Sequence, residues 1–263
     1  MTTEPENRLV APEIPANAAE FQLSLARALE LRSIQGEGFI AVDGGARGKR
    51  SRIILTSPVK DGNRLIAELR EFYGTNPEES GLILEDPFGQ AELERYGFSL
   101  VWRFSAMIRG VSPLPAPDRQ VVVARVRDEE ALAEAERTII EGFPLPDLRP
   151  IRHGTLLPVA LLGAPGFTVW TVKVKHVTAA AAVAMTTGTS VGLYWVATLP
   201  EWRGRGLART LLLTVLRAEA PGLPAVLTAT ESGLPLYESL GFKPVGSARW
   251  WRWRMPDRAA LIA

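Results

Sequence analysis

Residues 196–212 read VATLPEWRGRGLARTLL. Val196 to Thr198 predicts the end of a strand, and Leu207, Leu211 and Leu212 recur at helical spacing, so a helix begins near Gly206. Pro200, Gly204 and Gly206 mark the turn between them. The first amides of a helix have no intrahelical acceptor and lie at the positive end of its dipole. Glycines there let an anion approach without meeting a Cβ, and Arg203 and Arg205 add mobile positive charge, so the stretch predicts a site for a diphosphate. The plainer reading is a tight strand-to-helix turn with solvated arginines, which any single Gly-x-Gly also fits. A dinucleotide fold fits poorly, because Arg209 stands at the third glycine position and the strands upstream do not alternate with helices.

Those upstream strands, over Phe167 to Val177, Ala179 to Met185 and Ser190 to Thr198, predict an antiparallel meander. Before them, Gln120 to Val126 reads as a strand, and Asp128 as the N-cap of a helix that turns Leu132, Ile139 and Ile140 inward. Pro144 to Pro165 is proline-rich and irregular. Downstream, a helix over Leu207 to Ala220 stops at Pro221-Gly222, followed by a strand (Ala225 to Ala229), a helix (Leu234 to Leu240) and a strand (Phe242 to Met255).

The run Arg203-Gly204-Arg205-Gly206-Leu207-Ala208 resembles the acetyl-CoA loop of the GNAT superfamily of N-acetyltransferases, written Gln/Arg-x-x-Gly-x-Gly/Ala. A second stretch, ESGLPLYESLGF at 231–242, is similar to that family's helix bearing a tyrosine and ending in Gly-Phe. The resemblance covers Arg119 to Met255. It implies a mixed α/β (α+β) acyl-CoA N-acyltransferase fold in which an acceptor amine attacks the thioester of acetyl-CoA directly, in a ternary complex. It maps pantetheine pairing onto the backbone of Val196, Ala197 and Thr198. Pyrophosphate binding maps onto Arg203, Gly204, Arg205, Gly206, Leu207, Ala208 and Arg209. Thr230 stands where the family has an asparagine at the cofactor, and Gly233 where it has a small residue. Tyr237 matches the family's proton donor to the leaving thiolate. A phenol suits that role, since it holds its proton at neutral pH and lies close to a thiol in acidity.

A general base is not singled out. Glu141 closes the helix after Asp128 and also reads as a solvated helix end. His176 sits near the hairpin at Val177-Thr178 and His153 lies in the proline-rich loop, both positions where exposure is the commoner outcome. Strand alternation places one of Tyr194 and Trp195 toward the substrate cleft and the other toward the core.

Laying TSPVKDGNRLIAEL, residues 56–69, over TLPEWRGRGLARTL, residues 198–211, pairs Pro58 with Pro200, Gly62 with Gly204 and Leu65 with Leu207. Gly97-Phe98 then answers Gly241-Phe242. Asp61 replaces Arg203, Arg64 replaces Gly206 and Leu93 replaces Tyr237, changes that repel a diphosphate, block it and remove the proton donor. The expectation is a tandem arrangement: a loose segment (1–16), a degenerate GNAT-like lobe (17–110), a proline-rich linker (111–118) and a catalytic GNAT domain (119–263). The first lobe is expected to run through a helix (Ala18 to Leu31), strands (Gly38 to Val42 and Arg52 to Thr56), a helix (Gly62 to Phe72), a strand (Gly81 to Glu85), a helix (Gln90 to Tyr96) and a strand (Phe98 to Ile108), with a turn at Asp43-Gly44-Gly45. An unrelated α/β segment is the alternative.

The 263 residues are 46% apolar and carry 30 basic against 29 acidic side chains, a formal charge of +1. No global field therefore draws the chain to nucleic acid or membrane, and an anionic ligand must be held locally. Alternation of arginine and tryptophan over Arg249 to Arg254 predicts a strand packed on both faces more than a base-stacking platform. Cysteine is absent, which removes disulfides, thiolate zinc and cysteine nucleophiles and suits a cytoplasmic protein. With two histidines, no metal site is expected. Met1 to Pro15 lacks a targeting pattern, and Ala179 to Met185 is too short to span a bilayer. The functional expectation is acetyl transfer from acetyl-CoA to an amine. The rival is a non-catalytic acyl-CoA-binding or sensing protein.

Overall fold

The computed structural model describes residues 11–44, 51–74, 82–118, 120–143, 145 and 148–253. In chain order the elements are α1 (Glu13–Ala28), β1 (Arg32–Gly36), β2 (Phe39–Asp43), β3 (Arg52–Leu55), α2 (Gly62–Tyr73), β4 (Ile83–Asp86), β5 (Phe98–Arg109), β6 (Val122–Arg125), α3 (Glu129–Gly142), β7 (Phe167–Val174), β8 (Val177–Thr186), β9 (Val191–Thr198), α4 (Leu207–Glu219), β10 (Ala225–Ala229), α5 (Leu234–Ser239) and β11 (Lys243–Trp253). The chain divides into two compact units. The first comprises Met1–Met107, Thr228–Ser232 and Pro244–Ala263, and the second Ile108–Leu227 and Gly233–Lys243.

In the first unit the strands run β1-β2-β3-β4-β11-β5. The β1, β2 and β3 strands are antiparallel, whereas β3 and β4 are parallel because α2 makes the crossover between them. Leu65, Ile66, Leu69 and Phe72 give α2 an apolar stripe, which packs on Phe39, Ile53, Leu55, Leu84, Trp251 and Trp253. The other face of β2 and β3, with Ile40, Val42 and Ile54, is covered by Ala19, Leu23 and Ala26 of α1. This last helix starts at Glu13, before the expected Ala18, because Pro12 and Pro15 fall in its opening turn, where a missing N–H costs little. The tryptophans of β11 pack on both faces as expected: Trp253 stacks on Phe98, and Trp250 meets Trp102 and Phe104 edge-on. The helix expected over Gln90 to Tyr96 is only a 3-10 turn at Glu94–Tyr96. Buried Asp86 accepts the amides of Phe88, Gly89 and Ala91 and fixes a non-helical turn in its place.

The second unit holds the strand order β10-β9-β8-β7-β6. The β7, β8 and β9 strands form the predicted meander, and β9 continues through α4 into parallel β10. Both α3 and α4 pack on β8, whose run Ala179 to Ala184 is fully buried. Small side chains let both helices approach the strand closely. As predicted, Asp128 caps α3, accepting the amide of Ala131 at 2.9 Å. Gly45, Gly81, Arg119, Arg254, Met255 and parts of the 1–16 segment and the proline-rich loop lie outside the described residues.

Candidate functional site

Of the sequence-derived site residues, 196–198 close β9 and 203–209 form the turn and first helical residues that follow. A short 3-10 turn, Pro200–Trp202, leads from the strand into the glycines. Gly204 and Gly206 both have φ of +74°, with Gly206 as the N-cap of α4 and no side chain capping the helix. A Cβ at either glycine would meet nothing within 4 Å, so glycine is required there by the left-handed backbone, not by crowding. The opening of α4 is exposed, and its first amides take no side-chain cap. Leu207 is buried and Ala208 half-buried, anchoring the helix beneath that opening.

The arginines are less mobile than the sequence implied. Arg203 donates from Nε to Thr198 O at 3.1 Å and from an outer guanidinium nitrogen to Gly142 O at 2.8 Å. Arg205 donates to Glu201 O at 3.1 Å and lies 4.7 Å over the Trp202 ring. Arg209 points along α4 to the end of α5, donating to Ser239 O at 3.1 Å and Ser239 Oγ at 2.7 Å. They shape the loop through the carbonyls they hold while their charge stays beside it.

Strand β9 departs from a regular ladder where it enters the site. Val183 faces Tyr194 and Ala181 faces Ala197, so Trp195 and Val196 together stand opposite Ala182. Trp195 has φ of +46°, the mark of a bulge. The bulge follows Tyr194, and Tyr194 and Trp195 are both half-buried. On its other side β9 is registered with β10 only at Val191 and Gly192. The ladder stops there, and the strand runs on through Val196, Ala197 and Thr198 toward the loop.

Tyr237 lies in α5, a six-residue helix held by Arg209 and by Arg109. Buried Arg109 donates from Nε to Leu240 O at 2.9 Å and from its other nitrogens to Gly110 O, Ser112 and Pro113 O. The Tyr237 ring is half-buried and meets Phe242 edge-on at 6.0 Å. Burial pushes its phenol up to about 12. The gap to an ordinary thiol, about 1.5 units for a free tyrosine, grows to about 3.5 units, so Tyr237 holds its proton more firmly and is a weaker acid than the sequence suggested. Thr230 follows β10 and shares a hydrogen bond of 3.2 Å with Ser232 Oγ.

Among the described residues, no hydrogen bond or ion pair ties the side chain of a general-base candidate to the loop. Glu141 is half-buried at the end of α3, beside the Gly142 carbonyl that Arg203 holds. His176 is exposed in the turn between β7 and β8. His153 lies 3.9 Å from Glu136, which the sequence reading passed over. Glu136 is fully buried on α3 and accepts the amides of Gly154, Leu156 and Leu157, tying the proline-rich loop to the helix. Nothing local marked Glu136 or Arg109: one looked like helix surface and the other like a strand end.

Residues 165–244 match the family model described as an acetyltransferase (GNAT) domain. Solved structures match over nearly the whole chain at low identity and share its fold. A GCN5-related N-acetyltransferase from Kribbella flavida is 19% identical with a TM-score of 0.64, covering 92% of this chain and 98% of that one. A GNAT-family protein from Novosphingobium aromaticivorans is 19% identical with a TM-score of 0.60, covering 91% and 98%. A GCN5-related N-acetyltransferase from Sphaerobacter thermophilus is 14% identical with a TM-score of 0.57, covering 97% and 98%. No curated protein sequence matches the chain. The fold is that of the GNAT acyl-CoA N-acyltransferases, and the match at 165–244 spans the loop, with most of its residues in the second unit and Thr228–Ser232 and Pro244 in the first.

Proposed function

We propose that this chain, whose residues 165–244 match a GNAT acetyltransferase domain, moves the acetyl group of acetyl-CoA to an amine by direct attack in a ternary complex. The observation that carries the reading is the opening of α4: two left-handed glycines and a helix start with no side-chain cap, at the end of a strand whose ladder to β10 has stopped. That opening suits a diphosphate, and the strand beyond Gly192 suits the amides of a pantetheine arm. Val196, Ala197 and Thr198 take the arm, and Arg203 to Arg209 the pyrophosphate. Tyr237 donates a hydrogen bond to the departing thiolate, which balances negative charge on sulfur without requiring full ionisation of the phenol. The attacking nitrogen, cationic in the tetrahedral intermediate, loses a proton as the C–S bond breaks and the amide forms, and the thiolate takes up one proton to leave as the free thiol. A cysteine-free chain suits the reducing cytoplasm.

The tandem reading, a degenerate lobe before the catalytic one, is supported by the order of elements. Antiparallel strands lead into a parallel strand-helix-strand crossover in each unit, at β2-β3-α2-β4 and at β8-β9-α4-β10. In the first unit α2 begins at Gly62, one turn earlier than the aligned helix. Asp61 accepts the amides of Asn63 and Arg64, and Tyr96 fills the space over Gly62, where a Cβ would lie 2.6 Å from its ring. The groups an anion needs are consumed internally.

The test is release of free thiol from acetyl-CoA across an amine panel. It is expected to depend on Tyr237 and on Gly204 and Gly206. Tight acetyl-CoA binding with no transfer to any amine favours the sensing alternative, whereas no binding removes both readings.

A further inference from the structure

The aligned helices of the two units differ at one position with a spatial consequence. In the second unit Arg209 crosses from α4 to Ser239 and braces the end of α5. The aligned residue in the first unit is Ala67, too short to make a brace. Beside it lies a cavity of about 340 Å³ lined by Asn63, Ile66, Ala67, Arg70 and the turn Arg95 to Gly97. The four α2 residues follow i, i+3, i+4, i+7 spacing, so they form one stripe facing that turn.

The chemistry of this lining is uneven. Ile66 is buried and gives an apolar floor with Ala67. Arg70 and Arg95 are exposed at the rim, and among the described residues neither has a carboxylate partner. Arg95 instead lies 4.8 Å over the Tyr96 ring. The Tyr96 hydroxyl is shut off from solvent and has no hydrogen-bond partner.

We propose that this pocket of the first unit binds a small organic oxyanion with a compact apolar body, a carboxylate or a phosphate ester. The guanidiniums of Arg70 and Arg95 take the charged oxygens, Asn63 supplies a further polar contact, and the body rests on Ile66 and Ala67. The site is separate from the loop of the second unit and needs no acetyl transfer. It gives the altered first unit a binding role of its own.

Isothermal titration of the full chain with benzoate, phenyl phosphate and neutral benzyl alcohol tests this. Saturable binding of at least one anion, with none of the alcohol, is expected, and the tighter anion tells carboxylate from phosphate. Arg70→Gln and Arg95→Gln are each expected to weaken it about tenfold or more. Ala67→Arg, which places a brace in the cavity, is expected to abolish it while acetyl-CoA binding in the second unit persists as the control for folding. Arg70 is exposed, so its replacement keeps the test decisive should Ala67→Arg disturb α2. The proposal is overturned by absence of binding of both anions at millimolar concentration, by equal binding of the alcohol, or by anion binding that survives both Arg70→Gln and Arg95→Gln.

Discussion

Arg203 holds the carbonyl of Gly142 at 2.8 Å, joining the glycine-rich loop to the end of α3 across 61 residues of chain. Its Nε takes Thr198 O as well, so one guanidinium fixes the loop against both the strand before it and a neighbouring helix. Gly142 is itself tightly placed, since a Cβ there would lie 2.9 Å from Ala197 Cβ and 3.3 Å from Thr198 O. This geometry separates two roles for Arg203. If it acts by shaping the loop, Arg203→Lys keeps the charge but loses the two-carbonyl bridge, and is expected to weaken acetyl-CoA binding about as much as Arg203→Ala, by roughly tenfold or more. Calorimetric affinities for the two variants check this. A lysine variant with wild-type affinity would assign the residue a purely electrostatic part.

Gly206→Ala forces a side chain into a left-handed backbone, at a cost of about 1–2 kcal/mol in stability. Nothing crowds the new methyl group, so the chain is expected to fold with a lowered melting midpoint. The same methyl points into the space the proposed diphosphate occupies, and acetyl-CoA affinity is expected to fall by more than the stability loss alone implies. Denaturant melts with and without acetyl-CoA measure the two effects separately.

Glu136 makes the clearest structural prediction. Its carboxylate accepts three backbone amides that have no substitute partner in a buried place. Glu136→Gln turns one side of that acceptor into a donor facing an N–H, and a loss of about 1–3 kcal/mol is expected. The segment from Arg152 to Leu157 is released from α3 and becomes the first site of limited proteolysis. Cleavage patterns unchanged from wild type would show that the buried leucines hold the segment without the carboxylate.

What the sequence made legible was local. The Asp128 cap, the meander and the start of α4 each rest on residues within a few positions of one another, where propensity and periodicity act. The bulge at Trp195 was not legible, because which strand gains a residue depends on the register with Ala182. Arg109 was missed because its acceptor at Leu240 lies 131 residues away. The helix expected over Gln90 to Tyr96 failed for a related reason, since one buried carboxylate at Asp86 outcompetes a marginal helical turn. Arg203 and Arg205 were recognised by type, but sequence could not tell that backbone carbonyls would occupy them. Nor could it place β11, whose pairing with β4 is set by the sheet and not by any signal in the strand itself.

Tyr237 ties the proposed chemistry to a measurable pH dependence. Burial raises its phenol to about 12, above the ordinary 10, so the neutral form is favoured in the folded protein. The associated stability is fully present below about pH 10 and is lost as pH rises through about 12, so alkaline unfolding is expected to become shallower in Tyr237→Phe across that window. Below pH 10 the hydroxyl stays protonated, and ionisation of Tyr237 contributes no alkaline limb to the rate; any limb near neutrality belongs to the acceptor amine or its base. The phenylalanine variant preserves the edge-on packing with Phe242 while removing the donor. It is expected to lower kcat by about a hundredfold or more with acetyl-CoA affinity intact, a size typical of losing one positioned hydrogen-bond donor at a developing anion. Steady-state rates set against equilibrium binding of acetyl-CoA decide it, and an unchanged kcat would remove Tyr237 from the chemistry while leaving the loop assignment standing.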